Sequence, residues 1–102
     1  MNDKEEFILC TALTRYGIEK QTDMMIEEMS ELTKALLKLR RHGHDENLVS
    51  MLLANVVEEI ADVGIVLEQM RIYFSPAAVD EAKEHKMKRL AKLLGIGGNE
   101  NV

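Results

Sequence analysis

The sequence predicts an all-α fold, a four-helix bundle, and three observations carry that expectation. Only 4% of the 102 residues are aromatic, with no Trp and one Pro, whereas the helix formers Glu, Leu, Lys, Met and Ala are abundant. Apolar residues recur at helical spacing through long stretches. Helix-ending signals fall at three places, Gly17, the turn His42-Gly43-His44-Asp45, and Ser75-Pro76.

The elements follow in order. A first helix is expected from about Lys4 to Arg15, stopped at Tyr16-Gly17, where glycine can adopt the left-handed cap conformation. A second runs from about Gln21 to Arg41 and a third from about Asn47 to Phe74, with the 42–45 turn between them. Ser75 is an N-cap followed by Pro76 at the first helical position, opening a fourth helix that ends near Leu94, before Gly95. The length fits one domain, residues 1–102, with residues 95–102 a flexible tail.

Charge and cysteine content narrow the function classes. A net charge of −5 opposes a primary interaction with a nucleic-acid backbone or an anionic membrane, so an anionic ligand would need bridging cations. The lone Cys10 has no intramolecular disulfide partner and reads as an apolar residue. No signal peptide or membrane span is expected, and the chain reads as cytoplasmic. A domain this small buries a limited share of its surface, and its apolar arcs are wide, so a homodimer or homotetramer is expected.

The segment Met25-Ile26-Glu27-Glu28-Met29-Ser30-Glu31-Leu32 matches Val56-Val57-Glu58-Glu59-Ile60-Ala61-Asp62-Val63 in residue class, 31 positions apart. Two copies are too few for a solenoid and read as two facing helices. On a helical wheel at about 100° per residue, the apolar stripe of the second helix holds Leu39, Leu32, Met25, Leu36 and Met29. Glu28 falls on its edge, between Ala35 and Leu39, and Glu31 borders the same space beside Met24. The third helix repeats the arrangement, with Glu59 inside its apolar arc and Asp62 at the border beside Tyr73. Glu27 and Glu58 point away.

A single Glu-Glu pair on a helix is ordinarily solvated, but two in matching register, each with one acid inside an apolar arc, require compensation. Ionised carboxylates buried together cost several kcal/mol unless they hold protons or bind cations. Oxygen donors with no His or Cys beside them suit Mg²⁺, with Mn²⁺ a possible substitute, rather than Zn²⁺. A ferritin-like di-iron site is disfavoured because neither motif offers Glu-x-x-His. A helical interaction module would have no reason to place Glu28 and Glu59 inside apolar arcs.

The motif Glu27-Glu28-Met29-Ser30-Glu31, followed after 27 residues by Glu59-Ile60-Ala61-Asp62, resembles the signature of the all-α nucleoside triphosphate pyrophosphohydrolase superfamily. This is the MazG-like group that also holds dimeric dUTPases, dCTP pyrophosphatases and phosphoribosyl-ATP pyrophosphohydrolases. The resemblance extends from about Tyr16 to Leu94 and includes Gln21 ahead of the first motif and a basic fourth helix with Lys83, Lys86, Lys88 and Arg89.

The resemblance implies a MazG-like, oligomeric bundle in which Glu28, Glu31, Glu59 and Asp62 ligate Mg²⁺, with Glu27 outside the ligand set, helping to position water. The wheel argument selects the same four acids independently. The implied activity is hydrolysis of a (deoxy)nucleoside triphosphate to monophosphate and pyrophosphate. Glu28 or Glu31 would act as general base on the attacking water, since no Ser, Cys or His is placed as a nucleophile. Lys86 and Arg89, three apart on one face, are candidates for the polyphosphate, with Lys34 and Lys38 behind them. Gln21 is a candidate for a base edge. Selective members surround the base with aromatic side chains, and this chain offers only Phe7, Tyr16, Tyr73 and Phe74, so a loosely defined substrate is implied. The same fold without activity, a nucleotide-binding or regulatory subunit, keeps all four acids and stands as the alternative.

Overall fold

Reciprocal capping sets where the first helix begins. The Asn2 side chain accepts a hydrogen bond from the Glu5 N–H at 2.8 Å and donates one to the Glu5 carboxylate at 2.8 Å, satisfying helix-end groups that otherwise lack partners. In the computed structural model, which describes residues 1–97, four helices follow: α1 Asp3–Tyr16, α2 Ile18–His42, α3 Val49–Phe74 and α4 Pro76–Leu93. No strand occurs among the described residues. The tail expected from residue 95 lies mostly outside them, at 98–102.

The joints are short. Gly17 alone separates α1 from α2, at φ 84° and ψ 157°, a conformation essentially confined to glycine. This one-residue joint starts α2 three residues earlier than the sequence suggests. Between α2 and α3, the Asp45 side chain accepts from the Asn47 N–H at 2.9 Å and the Asp45 carbonyl from the Leu48 N–H at 3.0 Å. That Asx turn delays α3 to Val49. Ser75 Oγ accepts from the Ala78 N–H at 3.0 Å, with Pro76 in the first turn, as an N-cap followed by proline requires.

Most interhelical contact joins α2 to α3, which the short turn makes antiparallel. The α2 positions facing this seam are Gln21, Met25, Glu28, Leu32, Ala35 and Leu39, and the α3 positions are Leu52, Val56, Glu59, Val63, Val66 and Met70, all buried or half-buried. Both sets alternate steps of four and three, the spacing that keeps a stripe on one side of a helix. The seam is narrower than the apolar arcs: Met29 and Leu36, expected in the stripe, are 45% and 47% exposed. One partner helix covers only a strip of α2. α1 packs on both long helices, burying Leu9.

α4 stands away from the other helices. It touches only α3 and buries none of its residues. It is held at its start by Arg71, whose Nε and Nη2 donate to the two Asp80 oxygens at 2.8 and 2.6 Å while Nη1 donates to Glu68 at 2.7 Å. The radius of gyration is 17.5 Å, against about 13 Å for a compact chain of this length.

Candidate metal centre

The centre of the α2–α3 seam is not apolar. Glu28 and Glu59 occupy seam positions there, flanked by Met25 and Leu32 on α2 and by Val56 and Val63 on α3. Asp62, three residues after Glu59, lies on the same side of α3 at the solvent border. One carboxylate oxygen from each of Glu28, Glu59 and Asp62 lies within 4.8 Å of the others. Glu28 and Glu59 are half-buried and Asp62 is exposed, so the cluster opens to solvent on the Asp62 side.

Electrostatics follow from the crowding. Burial raises the Glu28 carboxyl above its ordinary value, and the charges of Asp62, Glu59, Glu27 and Glu31 push it further. Burial likewise raises Glu59, reinforced by Asp62, Glu31 and Glu58. Neither Glu28 nor Glu59 forms an ion pair among the described residues. Glu59 Oε2 is buried with no hydrogen-bond partner. An acceptor in that state calls for a proton or a cation, and three convergent hard oxygens fit Mg²⁺ or Mn²⁺.

Glu31, expected with the other three, stands apart from the triad. It is close enough to raise both Glu28 and Glu59, but its own carboxylate lies 3.6 Å from Lys34 Nζ in a largely exposed pair. It also lines a cavity of about 260 Å³ with Lys34, Ala35, Lys38, Leu52, Asn55 and Glu59. This cavity joins the inner acid Glu59 to two lysines. Asn55 was not singled out from the sequence, although it sits one helical turn before Glu59 and so shares its face.

The remaining candidates lie elsewhere. Lys86 and Arg89 line an open groove with Ala78, Glu81, Ala82 and His85, all on α4, and none of the four acids borders it. Gln21 is 3% exposed, buried in the seam one turn before Met25, and lines neither this groove nor the cavity beside Glu59. Glu27 is exposed beside Glu28. A larger cavity, about 550 Å³, lies between Met1, Glu6 and the α3–α4 joint, but its Arg71 is already engaged by Glu68 and Asp80. No described helix is long and apolar enough to cross a membrane. Compared with known proteins, the chain matches no family model, no curated protein and no solved structure.

Proposed function

We propose that this chain is a Mg²⁺-dependent hydrolase that splits a nucleoside triphosphate into monophosphate and pyrophosphate. The observation that carries the reading is the Glu59 carboxylate, set at a seam position with Oε2 buried and unpartnered, and with oxygens of Glu28 and Asp62 within 4.8 Å. An acidic cluster built into a helix–helix contact is a net cost to the fold until a cation joins it. The sequence supports the reaction class through the Glu27–Glu31 and Glu59–Asp62 motifs.

Glu28, Glu59 and Asp62 would hold the ion. When bound, Mg²⁺ supplies positive charge to phosphate oxygens and makes water more acidic. Glu31, beside the triad and not part of it, accepts the proton of the attacking water. Lys34 and Lys38 share the cavity with Glu31 and Glu59 and take the outer phosphates as point charges. Water adds to phosphorus, the bond to the bridging oxygen breaks, and pyrophosphate leaves. A chain without Trp has few surfaces for stacking a base, so base selection is relaxed.

The test is incubation with each common ribo- and deoxyribonucleoside triphosphate and Mg²⁺, resolving pyrophosphate from orthophosphate, beside EDTA and Glu59→Gln controls. Pyrophosphate that disappears in both controls supports the reading. No product from any nucleotide, with Mg²⁺ still raising thermal stability, replaces it with a nucleotide-binding subunit. Silence in both measurements rejects the metal centre.

A further inference from the structure

Charge along α2 changes sign at the acid centre. From Ile18 to Glu31 the helix carries five acids and one lysine; from Leu32 to His42 it carries Lys34, Lys38, Arg40 and Arg41 and no acid. The same division holds for the α2–α3 hairpin. Residues 32–57 hold four cations against two acids, a net +2, whereas the rest of the chain holds nine against sixteen, a net −7. An anion reaching the centre therefore meets a favourable field only from the side of the turn between α2 and α3.

Helix-end electrostatics accounts for part of this. The partial negative charge at the end of α2 favours cations in its last turn, Arg40, Arg41 and His42, and fades beyond that turn. Lys34 and Lys38 lie earlier. Both line the cavity of about 260 Å³ shared with Glu31, Asn55 and Glu59. Lys38 has no ion pair among the described residues, and Lys34 pairs only with Glu31, at 3.6 Å and largely exposed. So weak a contact does not withhold it from an anion.

Distance sets the two lysines apart. At 1.5 Å per residue, Lys34 stands about 4.5 Å along α2 from Glu31, and Lys38 about 10.5 Å. Phosphates held at the triad bring the γ-phosphate of a nucleoside triphosphate to the level of Lys34. Lys38 lies a further turn on, about 6 Å, and His42, next on that row, is exposed. The row ends in solvent and leaves room for a longer chain.

We propose that Lys38 reads the length of the phosphate chain, so that the site prefers nucleoside 5′-tetraphosphates and longer homologues to triphosphates. For substrates the preference rests on the proposed hydrolysis; for ligands it stands without it. Water adds to the α-phosphorus and gives its proton to Glu31. The bond from that phosphorus to the α–β bridging oxygen breaks, and tripolyphosphate leaves with the bonding pair. Lys34 and Lys38 hold the leaving group along its length as charge builds on it. Selection by chain length suits a protein with little aromatic surface for choosing a base.

The test is a calorimetric titration of the full chain, at fixed free Mg²⁺, with inorganic pyrophosphate and with tripolyphosphate. Wild type, Lys38→Gln and Arg41→Gln are compared. Arg41→Gln removes the same charge from a position about 180° from the seam residue Leu32 on the helical wheel. Tripolyphosphate is expected to bind wild type about tenfold tighter or more than pyrophosphate, an advantage lost in Lys38→Gln and kept in Arg41→Gln. Equal affinities, no binding of either, or an advantage indifferent to Lys38→Gln or equally lost in Arg41→Gln overturns the proposal. In parallel, kcat/KM is expected to favour adenosine 5′-tetraphosphate over the triphosphate by a similar factor, with tripolyphosphate as product. Pyrophosphate released from triphosphates, without any binding advantage for tripolyphosphate, keeps the hydrolase and removes the length selection. The expected binding pattern with no nucleotide hydrolysed rejects the hydrolase and keeps Lys38 as the length-reading residue of a polyphosphate site.

Discussion

Glu28 on α2 and Glu59 on α3 face each other from seam positions of two antiparallel helices, with carboxylate oxygens within 4.8 Å and no ion pair to either among the described residues. Two like charges occupy places where the pattern on either side calls for apolar side chains. Without a cation, the fold carries this pair as a cost.

The cost depends on pH with a definite sign. Glu28 and Glu59 have folded-state values raised by burial and by neighbouring acids. Such groups leave the metal-free fold unpenalised below the ordinary glutamate value. Stability then falls as pH rises from that value through the raised one, and stays lower above it. In EDTA, Tm is therefore expected to decline across that window. Glu59→Gln is expected to flatten the decline and to melt higher than wild type at neutral pH. An unchanged profile in that variant would show that Glu59 is already neutralised within the fold.

Mg²⁺ should reverse the ranking. Calorimetric or fluorescence melts are expected to show a rise in Tm with Mg²⁺ for wild type that is lost in Glu59→Gln and Asp62→Asn. Calcium or zinc in place of magnesium would distinguish octahedral oxygen coordination from looser or softer binding.

Glu31 is expected to separate from the triad functionally as it does in space. Glu31→Gln should retain most of the Mg²⁺-dependent stabilisation while lowering turnover by about 10²–10⁴-fold, the range for removal of a general base. Loss of both together would return Glu31 to the ligand set.

Gly17→Ala tests the α1–α2 joint. Nothing lies within 4 Å of the added Cβ, so its cost is purely that of the backbone at φ 84° and ψ 157°, about 1–3 kcal/mol. A melt of the variant in EDTA reads it directly, and Gly64→Ala, at an open helical position, is the contrasting control for chain stability.

The α3–α4 joint rests on the paired hydrogen bonds of Arg71 with Asp80. The Arg71 hydrogen bond is the largest influence holding Asp80 below the ordinary aspartate value. The contribution is present above that ordinary value and is lost as pH falls through the lowered one. Hydrogen exchange is expected to show the first turns of α4 losing protection in Asp80→Asn, with α2 unchanged.

Helix ends and the central acids were legible because both are local. Gly17, the Asp45 turn and Ser75-Pro76 act within a few residues, and a wheel places Glu28 and Glu59 on apolar arcs whatever packs against them. Glu31 was not separable: a residue three positions from Glu28 shares its face, and only the fold shows its carboxylate turned toward Lys34. The attitude of α4 was illegible because an ion pair nine residues apart sets it and no periodicity encodes such a pair. The burial of Gln21 ran against its residue type, since long amides are mostly exposed.

The spine of the fold and the proposed centre of its chemistry are the same residues. Glu28 and Glu59 sit where Leu or Val would make the hairpin sturdier, so selection for heat resistance in the absence of cation would discard them first. Chains that retain both acids therefore give up robustness for a carboxylate cluster able to hold a cation. A thermostabilised descendant of this protein should be screened for cation binding before its higher melting point is counted as an improvement.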